Sequence, residues 1–338
     1  MKINFNCYDM GVGGGNRTIL QLANGLVDKG HDVTLTVYGK PSDEHKWFKE
    51  GIRGKINYIF PSLLQRAFRR YVLSGGYFAN YDIAEAMIKA IPDCDINVAT
   101  YCFTAYPTYF SGKGSPFYLV QNYEPWFFND KTSQLKAEMT YSMPLHKLVV
   151  SKWLQEKVGG TWIGNGVNLK VFRPRKKPDK KPPYRIMAFI RGMERKGDKE
   201  ILQAYNILKE HLPCELVTPR NVTDEELAEL YSSCHVVLFP SQYEGIGLVG
   251  LEGMGCATPV IVTNCLGINE YARHLQNAYV VPRRDDSTVQ AGVLAGAIRE
   301  VLLTDDLANQ LVQGGLKTAK EYDFEKVVDR VEKAFMGS

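Results

Sequence analysis

Residues 236–252 constrain the fold more than any other stretch. Val236-Val237-Leu238-Phe239 is an unbroken apolar run, the pattern of a strand buried on both faces. Pro240 ends it, Gly245 and Gly247 turn the chain, and Leu248-Val249-Gly250-Leu251 opens a helix. A strand, a glycine turn and a helix start make a ready anion site, because unpaired backbone N–H groups and the positive helix end point the same way. Two carboxylates, Glu244 and Glu252, stand eight positions apart across this turn. They would repel a bare phosphate. They suit a ligand whose hydroxyls they can accept hydrogen bonds from and which also carries phosphate, as a nucleotide-sugar does.

The same alternation recurs along the chain. Residues 2–9 predict a strand, Gly11-Val12-Gly13-Gly14-Gly15-Asn16 a glycine turn, and Ile19, Leu20, Leu22, Ala23, Leu26 and Val27 an amphipathic helix closed by Gly30. Val33–Val37 is the next strand, which completes a βαβ unit and implies a parallel sheet. Further strands are expected near 56–60, 96–101, 117–121 and 147–150, with Ser151 capping the helix that carries Trp153 and Leu154. Four prolines and six basic residues fill the eleven positions 173–183, which no helix or central strand tolerates, so 171–184 reads as a linker. A second α/β series follows, with a strand at 185–190, a helix through Ile201, Leu202, Tyr205 and Leu208, and a short strand at Leu216-Val217. Thr223 and Glu226 form a capping box, and another strand falls at 260–262.

The 338 residues therefore read as two doubly wound domains, 1–170 and 185–322. A C-terminal helix over 323–338 is free to pack back on the first. Such domains bind ligands at the carboxyl ends of their strands, in a cleft.

Composition removes several classes. A net charge of +4 is too mild for a nucleic-acid binder. No run of 18 apolar residues exists, so no transmembrane helix is expected. Met1-Lys2-Ile3-Asn4-Phe5 enters a strand directly and lacks the order of a signal peptide. Seven cysteines without close pairs fit a reducing cytosol. The positive charge is local. Arg66, Arg69 and Arg70, with Leu64, Phe68, Tyr71 and Val72 at helical spacing, could meet an anionic membrane face or pack as an ordinary surface helix. Asp93-Cys94-Asp95 precedes a strand and reads as a solvated strand entry, and no His/Cys/carboxylate cluster has metal-ligand spacing.

Three segments together resemble family 4 glycosyltransferases, retaining enzymes of GT-B fold with two Rossmann-like domains facing each other across a cleft. They are the glycine loop with its helix ending Lys29-Gly30-His31-Asp32-Val33, the junction string 163–174 with Asn168 where an Asp is usual, and the block from Glu244 to Glu252. The string Gln121-Asn122-Tyr123-Glu124-Pro125 is loosely similar to a bacterial rhamnosyltransferase subgroup, with Asn122 in place of Asp.

The resemblance implies roles. Arg191 and Lys196 would grip the donor diphosphate, where two fixed cations stabilise the departing charge; otherwise they are surface charges beside a turn. Glu252 would accept the ribose hydroxyls and Glu244 would contact the transferred sugar; otherwise both are acids complementing a helix start. The backbone N–H groups of Ile246, Gly247, Leu248 and Val249 are candidate phosphate donors. Gly13, Gly14 and Gly15 would let the chain approach donor phosphate and acceptor, or would simply form a tight turn. Asn221 and Val222 fall where the family's loop meets the nucleobase. The family's usual His is missing after Asp95, which leaves Tyr101, Asn122 and Glu124 as acceptor-side candidates.

The implied protein is a cytoplasmic, metal-independent retaining glycosyltransferase with no cofactor beyond its nucleoside-diphosphate sugar. Its acceptor would be a glycan, a lipid-linked glycan or a small molecule, as in polysaccharide biosynthesis, with the inner membrane face as a peripheral site. A GT-B nucleotide-sugar epimerase and a non-catalytic nucleotide-sugar binding protein are the alternatives. A dehydrogenase fits poorly, because no acid stands cleanly about 20 residues beyond the glycine loop.

Overall fold

The computed structural model describes residues 1–8, 10–11, 13–38, 51–58, 81–284 and 289–337. The basic segment with Arg66, Arg69 and Arg70 lies outside them. The chain divides into two compact units, Met1–Gly164 with Val327–Ser338, and Asn165–Lys326. The expected boundary near 170 thus falls at Gly164.

The first unit contains β1 (Lys2–Cys7), α1 (Gly14–Asp28), β2 (Asp32–Val37), β3 (Lys55–Tyr58) and α2 (Tyr81–Ala90). It continues through β4 (Ile96–Ala99), α3 (Cys102–Phe110), β5 (Ser115–Val120), a 3₁₀ turn at Glu124–Phe127 and α4 (Lys131–Met139). Then come β6 (His146–Val149), α5 (Lys152–Val158) and β7 (Thr161–Trp162). The sheet order is β3-β2-β1-β4-β5-β6-β7, and every pairing is parallel.

The second unit contains β8 (Tyr184–Ala188), α6 (Asp198–Lys209), β9 (Cys214–Val217), α7 (Asp224–Ser232) and β10 (Val236–Phe239). After these follow α8 (Leu248–Gly255), β11 (Val260–Thr263), β12 (Tyr279–Val281), α9 (Ala291–Leu303) and α10 (Asp305–Glu321), and the last helix, α11 (Phe324–Met336), belongs to the first unit from Val327 on. The order β12-β11-β10-β8-β9 is again all parallel.

The apolar run of β10 is explained by its neighbours. Val237 and Phe239 enter one core with Leu227, Tyr231, Leu251 and Met254 of α7 and α8. Val236 and Leu238 enter the other with Ile201, Ala204, Ile298 and Val301 of α6 and α9. Both faces are covered, so neither can alternate with polar residues.

The first sheet departs from that rule. Asn4 and Asn6 of β1 and Asn97 of β4 are fully buried. They are linked to each other, with Asn4 also accepting from Thr36 and Asn6 from Tyr38. A buried amide is stable only with its partners in place, so this network ties three strands to one register.

The proline-rich stretch is no free linker. It belongs to the second unit, where Lys177 Nζ donates to Cys256 O (2.6 Å) and Thr258 Oγ1 (2.8 Å) at the end of α8. Burial there lowers the Lys177 pKa to about 8. The C-terminal segment belongs to the first unit. Phe335 packs edge-on against Phe117 of β5, and Glu332 pairs with Lys29 and His31. Ser151 occupies the N-cap of α5, but its hydroxyl makes no capping bond. Among the described residues no helix is long and apolar enough to cross a membrane.

Candidate donor site and acceptor-side loops

In the second sheet the connections leave β8 in opposite directions, toward β9 on one side and β10 on the other. Ligands of open α/β sheets bind outside the carboxyl ends at such a reversal. The loops there are 191–197 after β8 and 240–247 after β10, which hold Arg191, Lys196, Glu244 and Gly247. The loop after β9 carries Asn221, whose φ is +46°, beside the capping box of Thr223 and Glu226. Val222 packs on the core.

Lys196 and Glu244, from the two central loops, are joined in an ion pair through Nζ and Oε1. Glu244 is 8% exposed and Lys196 only partly exposed, so salt screens this pair less than a surface pair. Lys196 also lies 5.4 Å from the centre of the Phe239 ring. The two loops are further stitched by the Gln242 N–H donating to Arg195 O at 2.9 Å. The Arg191 guanidinium sits over the Phe189 ring at 5.0 Å.

Two positions missed by the sequence reading organise the site: Asp198 holds the first loop and Tyr231 holds helix α8. Asp198, nearly buried at the first turn of α6, accepts from the N–H groups of Arg191 (2.8 Å) and Met193 (3.0 Å). It folds the 191–193 loop back onto the helix start and fixes where Arg191 begins. Tyr231 of α7, fully buried, donates its hydroxyl to Glu252 Oε2 at 2.7 Å. Glu252 itself is 6% exposed, so one of its oxygens is already anchored in the protein.

Gly247 caps α8 with φ +84°, a conformation that side chains resist. A Cβ there would stand 2.8 Å from Ile268 Cγ1 and 3.1 Å from Phe239 Cε1. Tyr271 donates its hydroxyl to Gly247 O at 2.8 Å and holds the turn from beneath. The following N–H groups, of Leu248 and Val249, belong to the first helical turn, where no intrahelical acceptor exists. Ile246 is buried in the core.

The first-unit candidates divide. Gly13 is the N-cap of α1 in an extended conformation that any residue adopts, and a Cβ there would meet nothing within 4 Å. Gly14 is the first residue of the helix and Gly15 faces the Gln121 side chain. Tyr101 is the N-cap of α3, packed against Tyr8 and Phe103. Asn122 Oδ1 accepts from the next residue's N–H at 2.9 Å, a local turn.

Glu124 is no surface contact residue. It is 2% exposed, and its Oε2 accepts from the Cys102 N–H at 2.5 Å and the Tyr118 hydroxyl at 2.8 Å. It supplies the N-terminus of α3 with the acceptor that Tyr101 does not provide. Desolvation raises its pKa to about 8, opposed by those two bonds. The thiol of Cys102 and the phenol of Tyr118 are likewise pushed well up by burial.

Residues 197–318 match the protein family described as Glycosyl transferases group 1, a span that includes Glu244 and Glu252. Among curated proteins the chain is 27% identical over 280 residues to the O-antigen biosynthesis protein RfbC of Myxococcus xanthus, covering 74% of this chain and 21% of that protein. It is 30% identical over 115 residues to the O-antigen chain mannosyltransferase B of Escherichia coli, covering 34% and 28%. The chain spans only 21% to 37% of the length of the curated relatives it matches.

Solved structures resemble it along the whole chain. A sucrose-phosphate synthase from Thermosynechococcus elongatus has TM-score 0.74 and 18% identity over 100% of this chain and 98% of that one. Anabaena HepE in complex with UDP-glucose has TM-score 0.74 and 15% identity over 100% of both. These likenesses, with two parallel-sheet units, show the GT-B fold.

Proposed function

We propose that this chain is a retaining glycosyltransferase that moves a sugar from a nucleoside-diphosphate donor to a saccharide-type acceptor. The observation that carries the reading is the joining of the two switch-point loops through Lys196 and Glu244, with Arg191 on the first and the start of α8 on the second. The family match over 197–318 and the glycosyltransferase and mannosyltransferase names of relatives support it. The UDP-glucose bound by HepE supports a nucleotide-sugar donor.

In this reading Arg191, Lys196 and the N–H groups of Leu248 and Val249 receive the diphosphate. Negative charge gathers on the departing phosphate oxygen, and fixed donors stabilise it without reorganising. Those groups do the work that a bound cation does elsewhere, so no metal is required. Loss of one cation is expected to cost about a hundred- to a thousandfold in rate. Glu252, anchored through one oxygen by Tyr231, accepts from the ribose hydroxyls. Glu244 holds Lys196 in place before the donor arrives and faces the transferred sugar afterwards. The acceptor hydroxyl forms the new bond to the anomeric carbon as the carbon–phosphate oxygen bond breaks. Its proton passes to the departing phosphate, and attack from that same face retains configuration.

Thermal stabilisation tests the donor site. A ligand at about a hundredfold its Kd adds about 2.7 kcal/mol of stability. A panel of UDP, GDP, TDP and ADP, each with sugar conjugates, is expected to raise Tm for one nucleotide, and Glu252→Ala is expected to abolish the effect. Stabilisation by NAD alone, or by none of the panel, would overturn the assignment.

A further inference from the structure

Helix α8 carries Glu252, yet it is weak by composition. Three of its eight residues, Gly250, Gly253 and Gly255, are glycine, which disfavours a helix interior. Packing demands them. A Cβ on Gly250 would collide with the Tyr271 hydroxyl, and one on Gly255 would stand 2.7 Å from Phe172 O. So short a helix cannot hold itself, and its place is set by what grips its two ends. Tyr271 grips the first end through Gly247 O. Lys177 grips the other.

Lys177 Nζ donates to the carbonyl of Cys256, the C-cap of α8, where a helix leaves its acceptors unpaired and favours positive charge. The same ammonium donates to Thr258 Oγ1 at 2.8 Å. An ammonium cannot accept, so this hydroxyl accepts from Lys177 and gives its proton to a carbonyl. Of the two in reach, Tyr231 O at 2.8 Å is nearer than Cys256 O at 3.5 Å. Tyr231 in turn donates its phenol to Glu252 Oε2 at 2.7 Å. Two residues before Lys177, Arg175 pairs with Glu225 and Glu229 of α7, the helix that carries Tyr231. Pro178 confines the Lys177 backbone to extended conformations. One short stretch therefore holds both helices whose facing side chains make the Tyr231–Glu252 bond.

A helix cap needs only the bond to Cys256 O. The second bond, to a hydroxyl that carries the chain on to Tyr231, is what capping leaves unexplained. We propose that Lys177 is a positioning residue for Glu252. Through Thr258 and Tyr231, and through the end of α8, it sets where the carboxylate stands for the ribose hydroxyls. It touches no substrate itself, and it acts from before the first residue of β11, away from the loops that follow the strands. This rests on the glycosyltransferase reading and adds a control on nucleotide recognition to it.

The preference for ribose tests the proposal. Calorimetry compares UDP, GDP and ADP, each with its 2′-deoxy form. The wild-type protein is expected to bind one of the three about ten- to a hundredfold more tightly than its deoxy form, the range for a hydrogen bond to a charged group. Lys177→Met keeps the stem and removes the donors, and is expected to shrink that ratio about three- to tenfold. Lys177→Arg, with donors for both acceptors, is expected to restore most of it. Thr258→Val breaks the chain at its middle and is expected to match Lys177→Met. Lys176→Met, at the exposed neighbouring position, is expected to leave the ratio at its wild-type value. A merely structural role would lower Tm and weaken ribose and deoxyribose forms alike. A ratio undiminished in both Lys177→Met and Thr258→Val, in a wild-type protein that shows the preference, would overturn this proposal and leave the donor reading standing. A wild-type protein that binds no nucleotide would remove the donor reading, and this proposal with it.

Discussion

Glu124 makes a sharp prediction about pH. Its carboxyl is sealed inside the first unit, and burial lifts its pKa from 4.5 to about 8. Between those values the folded chain binds up to one proton more than the unfolded chain. Folding stability must therefore fall as pH rises through this window, by about 1.4 kcal/mol per unit. The whole window is worth at most about 5 kcal/mol, a large share of a domain's stability.

The perturbation is Glu124→Gln, which keeps a carbonyl oxygen for the Cys102 N–H and the Tyr118 hydroxyl but cannot ionise. At pH 5 both side chains are neutral and nearly isosteric, so the two proteins are expected to be closest in stability. At pH 8 the variant is expected to be more stable by several kcal/mol, within the limit of about 5. Urea unfolding of both proteins at pH 5, 6, 7 and 8 measures this, and every other titrating group cancels in the difference. A difference constant to about 0.5 kcal/mol over that range would refute the argument and place Glu124 in contact with water.

Substitutions at four further positions probe the second unit. Gly247→Ala places a Cβ 2.8 Å from Ile268 at φ +84°, so it is expected to lose at least about 1–2 kcal/mol in thermal unfolding and to abolish nucleotide stabilisation. Gly292→Ala, near the start of α9 with nothing within 4 Å of the new carbon, is its control and is expected to be neutral or stabilising by up to about 1 kcal/mol. Tyr231→Phe removes the donor to Glu252 and is expected to cost about 1–3 kcal/mol in urea unfolding, with weaker nucleotide binding in calorimetry. Asp198→Ala frees the 191–193 loop and is expected to lower turnover of donor by about ten- to a hundredfold, whereas Asp198→Asn, still an acceptor for both N–H groups, should recover most of it.

What could be read from the sequence depended on how local each requirement was. The strand, glycine turn and helix at 236–255 were legible because the apolar run, the turn glycines and the two acids all lie within one βα unit. The alternation that gives two parallel sheets was legible for the same reason, apart from β7 and β12, which are only two and three residues long. Tyr231 and Asp198 were not. One reads as an apolar-face position of an amphipathic helix and the other as an ordinary helix-start acid. Their partners, Glu252 and the Arg191 and Met193 N–H groups, become visible only once α7 meets α8 and the loop folds back.

Glu124 shows the limit most clearly. Helix α3 begins with Tyr101 at its cap and no acid in its first turn, so its need for a buried acceptor is written in the sequence. The supplier stands 22 residues later, in the loop after a different strand, and local patterning cannot connect the two. Lys177 repeats the case: a lysine among prolines looks solvated until the end of α8 is seen to offer Cys256 O and Thr258 Oγ1. In each instance the demand is local and the supply is topological. The charged residues that sequence places on loops are therefore the ones whose surroundings the fold decides. Glu124, a loop acid by sequence, is spent on holding the start of α3 and the Tyr118 hydroxyl.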